Sequence, residues 1–190
     1  MIPRCLQLFS VLLLVGSSAA AQSTQLEPGR TYSFSLHDVD GNDLATADGH
    51  VTVMTVVTRQ NENEAHAAAD RVPDRYIGNP KYRYITVVNF QKKLARPIQG
   101  VTRAIIRSRL EAEAKELKPD YDAKKLARDP RHDLFVVADF DGSAVTSLGM
   151  STDSNNVAVF VFDGRGKLIN RWNGVPPGDS LAQAIMTAEQ

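Results

Sequence analysis

The chain has 190 residues, with 22 basic and 22 acidic side chains, so its formal net charge is zero at neutral pH. A balanced charge disfavours nucleic acid as a partner, because binding to phosphates depends on an excess of lysine and arginine. This length suits one domain whose core is stable without disulfide bonds, and the chain has a single cysteine, Cys5.

Residues 1–21 have the composition of a secretory signal peptide. Arg4 precedes an apolar run from Leu6 to Val15, and small residues follow up to Ala21. The run is much shorter than the roughly 20 residues that a membrane-spanning helix needs, and no later segment approaches that length. We therefore predict cleavage near Ala21, a periplasmic or secreted location, no transmembrane segment after cleavage, and one domain at residues 22–190.

Cleavage would also remove Cys5, and this loss excludes several kinds of chemistry. The mature chain would have no cysteine, with 21 basic and 22 acidic residues. Disulfide bonds, thiolate nucleophiles and cysteine-ligated metals each need at least one sulfur. The sequence thus excludes thiol–disulfide oxidoreductase and thiol peroxidase activity in the mature chain, and it indicates no cofactor.

Hydrophobic periodicity in the first half predicts an α/β domain. The residues TYSFSLHDV alternate and lead into a DGND turn, and VTVMTVVT is typical of a buried strand. Ala65, Ala68, Ala69 and Val72 form one apolar stripe, which predicts a helix that ends near Pro73. The run YRYITVVNF predicts another strand, and an amphipathic helix should follow at residues 98–117.

The second half contains a predicted hairpin and a last helix. Residues 118–133 are charged and are interpreted as helix or loop, after which LFVVADF predicts a strand and DGSAV a turn. The runs VAVFVFD and KLINRW are joined by DGRGK, which is typical of an antiparallel hairpin. Asp179 or Ser180 should cap the helix LAQAIMTA.

Two D-x-D-G strings, at residues 38–41 and 139–142, invite comparison with calcium-binding loops. Neither has glycine at the sixth loop position or glutamate at the twelfth, as an EF-hand requires. Asp and Gly at this spacing are typical of tight turns, so we predict turns at both places.

The order of these elements resembles the thioredoxin-like fold with extra N-terminal strands. The segments LHDVDGNDLATADGHVTV and FVFDGRGKLINRWNG resemble the turn-and-strand patterns of peroxiredoxin-like (AhpC/TSA-like) envelope proteins. The chain is also similar to the small periplasmic YtfJ-type family, which lacks the paired cysteines. The resemblance implies a central mixed β-sheet flanked by helices.

The chain departs from the redox members of this superfamily at their reactive positions. A thioredoxin has C-x-x-C at the helix start, where the helix dipole lowers the thiol pKa, but this chain has RQNENE there. A peroxiredoxin has cysteine three residues after a threonine, and here Thr58 is followed at that spacing by Asn61. Asn155 and Asn156 stand where the resemblance places a cis-proline facing the sulfur.

The presence of asparagine at position 61 can be explained by a structural role in starting the helix. Asparagine is a favoured N-cap residue, and Glu64 completes the spacing of a capping box. We therefore predict that the side chain of Asn61 caps the following helix. Glu62 and Glu64 also complement the positive end of the helix dipole and make the helix start acidic.

We predict that the protein is a non-catalytic module that binds envelope proteins or extended peptides, in a chaperone-like or scaffolding role. Thioredoxin-like proteins bind extended chains beside the helix start through backbone hydrogen bonds, and this mode does not require sulfur. The predicted binding residues, here named the helix-start surface, are Thr58, Asn61, Glu62, Glu64, Asn155 and Asn156.

Two alternatives remain open. Glu62, His66 and Asp70 are spaced four residues apart, which would allow acid–base catalysis or metal binding, although a solvated helix face also explains them. A metal would need a further ligand, for which His37 and His50 are the candidates. The other alternative places the functional surface in the charged stretch 118–133.

Overall fold

The computed structural model describes residues 25–91 and 96–190, so the predicted signal peptide and Cys5 lie outside the described residues. Seven strands are present in these ranges: β1 (Ser35–His37), β2 (Asp43–Ala45), β3 (Val51–Val57), β4 (Tyr82–Asn89), β5 (Phe135–Asp139), β6 (Ala158–Phe162) and β7 (Leu168–Asn173). The helices are α1 (Glu62–Ala69), α2 (Arg96–Ala123), α3 (Ser143–Ser147) and α4 (Ser180–Ala188), with short 3-10 helices at Asp74–Tyr76 and Pro130–Asp133.

Five strands form a central mixed sheet in the order β5-β4-β3-β6-β7. Strand β3 pairs in parallel with β4 and antiparallel with β6, while β4 and β5 are parallel and β6 and β7 form the predicted hairpin. The α/β class with a central mixed sheet and extra N-terminal strands is therefore confirmed.

The sheet is buried on both faces, which explains the continuous apolar runs of its central strands. One face carries Met54, Phe160 and Phe162 and is covered by the N-terminal hairpin and α3. The other face carries Val53 and Val159 and is covered by α1 and α4. Because side chains alternate along a strand, each central strand contributes to both cores.

The N-terminal region differs from the sequence prediction, in which the strand TYSFSLHDV is joined by a short turn to the strand VTVMTVVT. Residues 35–45 form a separate two-stranded hairpin, in which Leu36 faces Leu44, and the chain then enters the main sheet at β3. The turn of this hairpin is the first predicted D-x-D-G turn. The Asp38 carboxylate is buried and accepts hydrogen bonds from the backbone N–H groups of Asp40 and Asn42 at 2.9 and 2.8 Å.

The second D-x-D-G string is also a turn, but it leads into a helix that the periodicity did not predict. Asp139 is buried, and its two carboxylate oxygens accept from the backbone N–H groups of Gly142 and Val145, both at 2.9 Å. These bonds hold the first turn of α3, where the sequence predicted a turn followed by a loop. Burial raises the pKa of Asp139, and the backbone bonds oppose that shift.

The other helices also differ at their ends. Helix α1 stops before the predicted boundary near Pro73, because the N–H of Arg71 bonds to the carbonyl of Ala68, three residues back, and closes a tight turn. Helix α2 continues beyond residue 117 and includes Pro119, so much of the charged stretch 118–133 is helical. None of the helices within the described ranges is long and apolar enough to cross a membrane.

Candidate functional site

The topology brings together two segments that are far apart in the sequence. Residues 58–61 leave the end of β3 and enter α1, and residues 151–156 lead into β6. Because β3 and β6 are antiparallel neighbours, with Val56 facing Ala158, the end of one strand lies beside the start of the other. The two parts of the helix-start surface are therefore adjacent in space.

Asn61 connects these two segments. Its side chain is buried, with 6% of the residue exposed. The Oδ1 atom accepts a hydrogen bond from the backbone N–H of Thr58 at 2.8 Å, and the Nδ2 group donates to the backbone carbonyl of Asn155 at 2.9 Å. The amide thus fixes its own turn and also binds the loop that precedes β6.

The predicted capping role of Asn61 is therefore wrong. Asn61 occupies the N-cap position, but its side chain makes no capping hydrogen bond to α1, and its backbone N–H bonds to the carbonyl of Thr58 at 3.5 Å rather than to Glu64. A buried amide needs partners, whereas the first N–H groups of an exposed helix end can bond to water. The side chain therefore turns inward, where water cannot replace its partners.

Two further amides hold the same loop, and the sequence interpretation missed both. The Asn89 side chain, buried at the end of β4, donates to the carbonyl of Thr152 at 2.8 Å. The Gln91 side chain donates to the carbonyl of Ser154 at 3.3 Å and to the side-chain oxygen of Asn155 at 2.7 Å. We name Asn61, Asn89 and Gln91 the amide clamp.

A sequence signal for this clamp exists. Asn89 directly follows the apolar residues Val87 and Val88 at the end of β4, and a buried polar residue there needs a hydrogen-bonding partner. Its Oδ1 atom also accepts from the backbone N–H of Gln91 at 2.8 Å, and Gln91 has a positive φ of 58°. The partners in the loop at 151–156 lie more than 60 residues away and could not be identified by spacing.

Four residues of the helix-start surface face outward. Glu62, Glu64, Asn155 and Asn156 are exposed, whereas Thr58 is buried beside Asn61. The two glutamates lie in the first turn of α1, where their charge complements the helix dipole. The surface therefore combines an acidic helix start with an adjacent polar loop.

The loop at 151–156 has trans backbone throughout, since residues 25–91 and 96–190 include no cis peptide bond. A cis-proline would fix the loop by its covalent geometry. Here Asn155 and Asn156 occupy the positions that correspond to the cis-proline. The bonds of the amide clamp connect the loop to α1 and β4 instead.

The alternative site on α1 is not assembled into a cluster. His66 lies 4.0 Å from a carboxylate oxygen of Glu62, and both side chains are more than 70% exposed, at 76% and 72%. In the part of the chain that the structure describes, no group of three or more His, Cys, Asp or Glu residues is arranged to hold a metal ion. His37 and His50 instead pair with Asp43 and Asp48, at 2.5 and 2.8 Å.

The charged stretch 118–133 makes ion pairs both within itself and with the rest of the domain, since Arg131 pairs with Asp40 and Glu111. Lys118 binds Asp122 within α2, and Asp133 accepts from Arg128 at 2.6 Å and from the Tyr121 hydroxyl at 2.6 Å. The Tyr121 side chain is buried, and burial together with its bond to Asp133 raises its pKa. These contacts anchor the end of α2 to the short 3-10 helix that precedes β5.

No protein-family model matches the sequence, and no curated protein matches it. Solved structures do match. A protein described as a thiol:disulfide interchange protein DsbE from Chlorobium tepidum is 14% identical, with a TM-score of 0.52, over 86% of this chain and 99% of that one. The C-terminal domain of a protein described as a thiol–disulfide oxidoreductase from Bacteroides thetaiotaomicron is 15% identical, with a TM-score of 0.53, over 85% and 95%.

These similarities extend over most of this chain and nearly all of each matched chain. At such low identity they establish the architecture and transfer no chemistry, since one fold hosts many functions. Residues 22–190 contain no cysteine, so the thiol chemistry named for those proteins has no counterpart in that part of the chain. The chain therefore has the thioredoxin-like fold.

Proposed function

We propose that this protein is an exported, redox-inactive thioredoxin-like module that binds proteins or extended peptides without catalysis. The observation that carries the proposal is the amide clamp. Asn61 holds the loop at 151–156 against the start of α1, and Asn89 and Gln91 hold it against the end of β4. Redox members of the superfamily keep a cysteine and a cis-proline at this place. The shape of this surface is thus maintained by hydrogen bonds that need no sulfur.

The exposed groups around the clamp indicate which kind of peptide segment the surface would bind. Glu62 and Glu64 place two carboxylates at the start of α1, and Asn155 and Asn156 offer amide donors and acceptors beside them. A rigid polar surface of this kind suits an extended segment that carries lysine or arginine, because the carboxylates attract the cation and the loop can bond to the peptide backbone. Partners would then be envelope proteins with exposed basic segments.

Export is part of the same proposal and rests on the sequence of residues 1–21. A basic residue, an apolar run and small residues follow each other in the order of a cleavable signal peptide. Cell fractionation and N-terminal sequencing of the native protein would test it. Cleavage near Ala21 with recovery from the envelope or the medium is expected, and an uncleaved cytoplasmic protein would contradict it.

The binding proposal is tested by cross-linking and co-purification from the native envelope, with partners identified by mass spectrometry. The test variant combines Glu62→Gln, Glu64→Gln and Asn156→Ala, and it keeps Asn61 and Asn155 so that every bond of the clamp remains. The control variant combines Lys118→Ala and Asp122→Ala, an exposed pair on α2. Partners lost in the first variant alone would support the helix-start surface, whereas loss in the control alone would assign binding to residues 118–133.

Metal or acid–base function on α1 is the second candidate, and no described contact favours it over binding. Metal analysis of the purified protein distinguishes the two. Stoichiometric metal that is lost in a His66→Ala variant would replace the binding proposal with a metal site, and a metal-free protein that retains its partners would leave the binding proposal in place.

A further inference from the structure

A cavity of about 410 Å³ lies between the central sheet and α2, away from the helix-start surface. Its floor is one face of three neighbouring strands, on which Val53 faces Tyr84, and Thr86 lies between Thr55 and Val136. Its volume is within the range of small-molecule sites, which is roughly 300–1,000 Å³.

Helices α1, α2 and α4 complete the walls of this cavity, with Leu181 as the contribution of α4. Helix α2 contributes Leu110, Leu117 and Tyr121, and α1 contributes Ala68. The small alanine on α1 leaves space that larger apolar residues fill elsewhere in the core. The lining is therefore largely apolar, and a ligand would enter a preformed space between packed elements.

The charged side chains that line the cavity are all acidic: Asp70, Glu113 and Asp133. Asp133 is neutralised by Arg128 at 2.6 Å, so Asp70 and Glu113 carry the unbalanced charge. Burial raises the pKa of Glu113, and His66 nearby partly opposes this shift. A carboxylate that is partly removed from water gains from a cation placed beside it.

Aromatic rings add a second feature that favours a cation. The rings of Tyr84 and Tyr121 line the cavity, and the face of an aromatic ring attracts a positive charge. Phe135 also lines it, and the guanidinium of Arg83 lies over that ring, 5.6 Å from its centroid. The Tyr84 hydroxyl is shielded from solvent and has no hydrogen-bond partner among the described residues. A buried hydroxyl without a partner is unfavourable, and a polar ligand atom could supply the missing bond.

We propose that this cavity binds a small organic cation, in which an ammonium group is carried on an apolar body. The apolar body would contact the strand floor and α2, and the ammonium group would lie toward Glu113 and Asp70. This proposal depends on residues outside the helix-start surface, so it stands or falls independently of the function proposed above.

Three probes of nearly equal shape test the proposal: phenethylamine, its neutral analogue 2-phenylethanol and the anionic 3-phenylpropionate. Titrations followed by NMR at about pH 8, where histidine side chains are neutral, isolate the role of the carboxylates. We expect the amine to bind at least about tenfold more tightly than either analogue. We expect the amide shifts to change for residues that line the cavity.

Two variants of α2 form a matched pair. Glu113→Gln removes one of the two unbalanced lining charges and should reduce the preference for the amine. Glu116→Gln removes a charge that is exposed on the same helix and does not line the cavity, so it should retain the preference. Thr55→Leu would fill the cavity from the floor and should weaken binding of the amine, with an unchanged circular dichroism spectrum as evidence of folding.

Three results would overturn the proposal. One is equal binding of the three probes, which would show an apolar site without charge selectivity. Another is an undiminished amine preference in the Glu113→Gln protein. The third is no binding of any probe up to about 10 mM, which corresponds to a binding free energy too small for a site.

Discussion

The start of α1 and the space beneath α2 differ in whether their buried polar groups have hydrogen-bond partners. At the start of α1, the buried amide of Asn61 is bonded at both ends, to Thr58 and to Asn155. Beneath α2, the hydroxyl of Tyr84 is buried without a partner, next to an unfilled cavity. The first region is closed internally and can bind only on its outer surface, whereas the second has interior space and an unused polar group.

The largest expected effect is at the closed region. Asn61→Ala would leave the Thr58 N–H and the Asn155 carbonyl without partners, so we expect the free energy of unfolding to fall by about 2–3 kcal/mol. Urea denaturation measures this change. Glu62→Gln, at an exposed neighbouring position, is the control and should change stability by less than about 0.5 kcal/mol. A loss below about 1 kcal/mol in Asn61→Ala would show that the loop is held without this amide.

Two adjacent residues of β3 test the difference in packing. Val56 lies in the filled core beneath the N-terminal hairpin, and Thr55 lines the cavity on the opposite face. We expect Val56→Leu to destabilise by about 1–2 kcal/mol through overpacking, and Thr55→Leu to cost less than about 0.5 kcal/mol although it adds more volume. Equal losses in thermal or urea denaturation would show that the cavity does not accommodate the added side chain.

The two tyrosine hydroxyls of the cavity wall form a further matched pair. Tyr121 donates to Asp133 at 2.6 Å, whereas the hydroxyl of Tyr84 has no partner among the described residues. Tyr121→Phe should therefore cost about 1–2 kcal/mol, and Tyr84→Phe should leave stability unchanged or raise it by up to about 1 kcal/mol. A substantial loss in Tyr84→Phe would indicate that its hydroxyl is satisfied in solution.

The smallest expected effect concerns Glu113, whose pKa is raised in the folded protein by burial. Below its unfolded pKa the group is protonated in both states and the penalty for burying its charge is absent. The penalty appears as the pH rises through that value and is complete above the raised folded pKa. Relative to Glu113→Gln, the wild-type protein should thus lose stability with rising pH, by less than about 1 kcal/mol because the side chain is partly exposed. Urea titrations between pH 3 and 8 measure this difference, and an opposite slope would contradict it.

Much of the fold could be predicted from local sequence. The runs VTVMTVVT and VAVFVFD have buried side chains on both faces, and they form the central strand β3 and its neighbour β6. The short helix α3 was missed, because its first turn is held by the carboxylate of Asp139, and a string of aspartate and glycine predicts only a turn. The extension of α2 past residue 117 was left undecided, because its polar surface has no strong periodicity.

The candidate site could be predicted only in part. The residues of the helix-start surface are brought together as expected, since the fold places the end of β3 beside the start of β6. The role of Asn61 could not be predicted, because capping-box spacing and inward bonding produce the same local sequence. Gln91 was missed since a glutamine after a strand carries no signal unless its partner loop is known.

The sequence by itself determined the order of the main strands and helices and the absence of cysteine from residues 22–190, because periodicity and composition are local properties. Only the tertiary structure decided which polar groups meet. Asn61 bonds to Asn155, 94 residues away, and the cavity beneath α2 exists because small residues of α1 and the sheet face a helix from another part of the chain. Buried polar groups take the partners that packing brings to them, and packing depends on the whole chain.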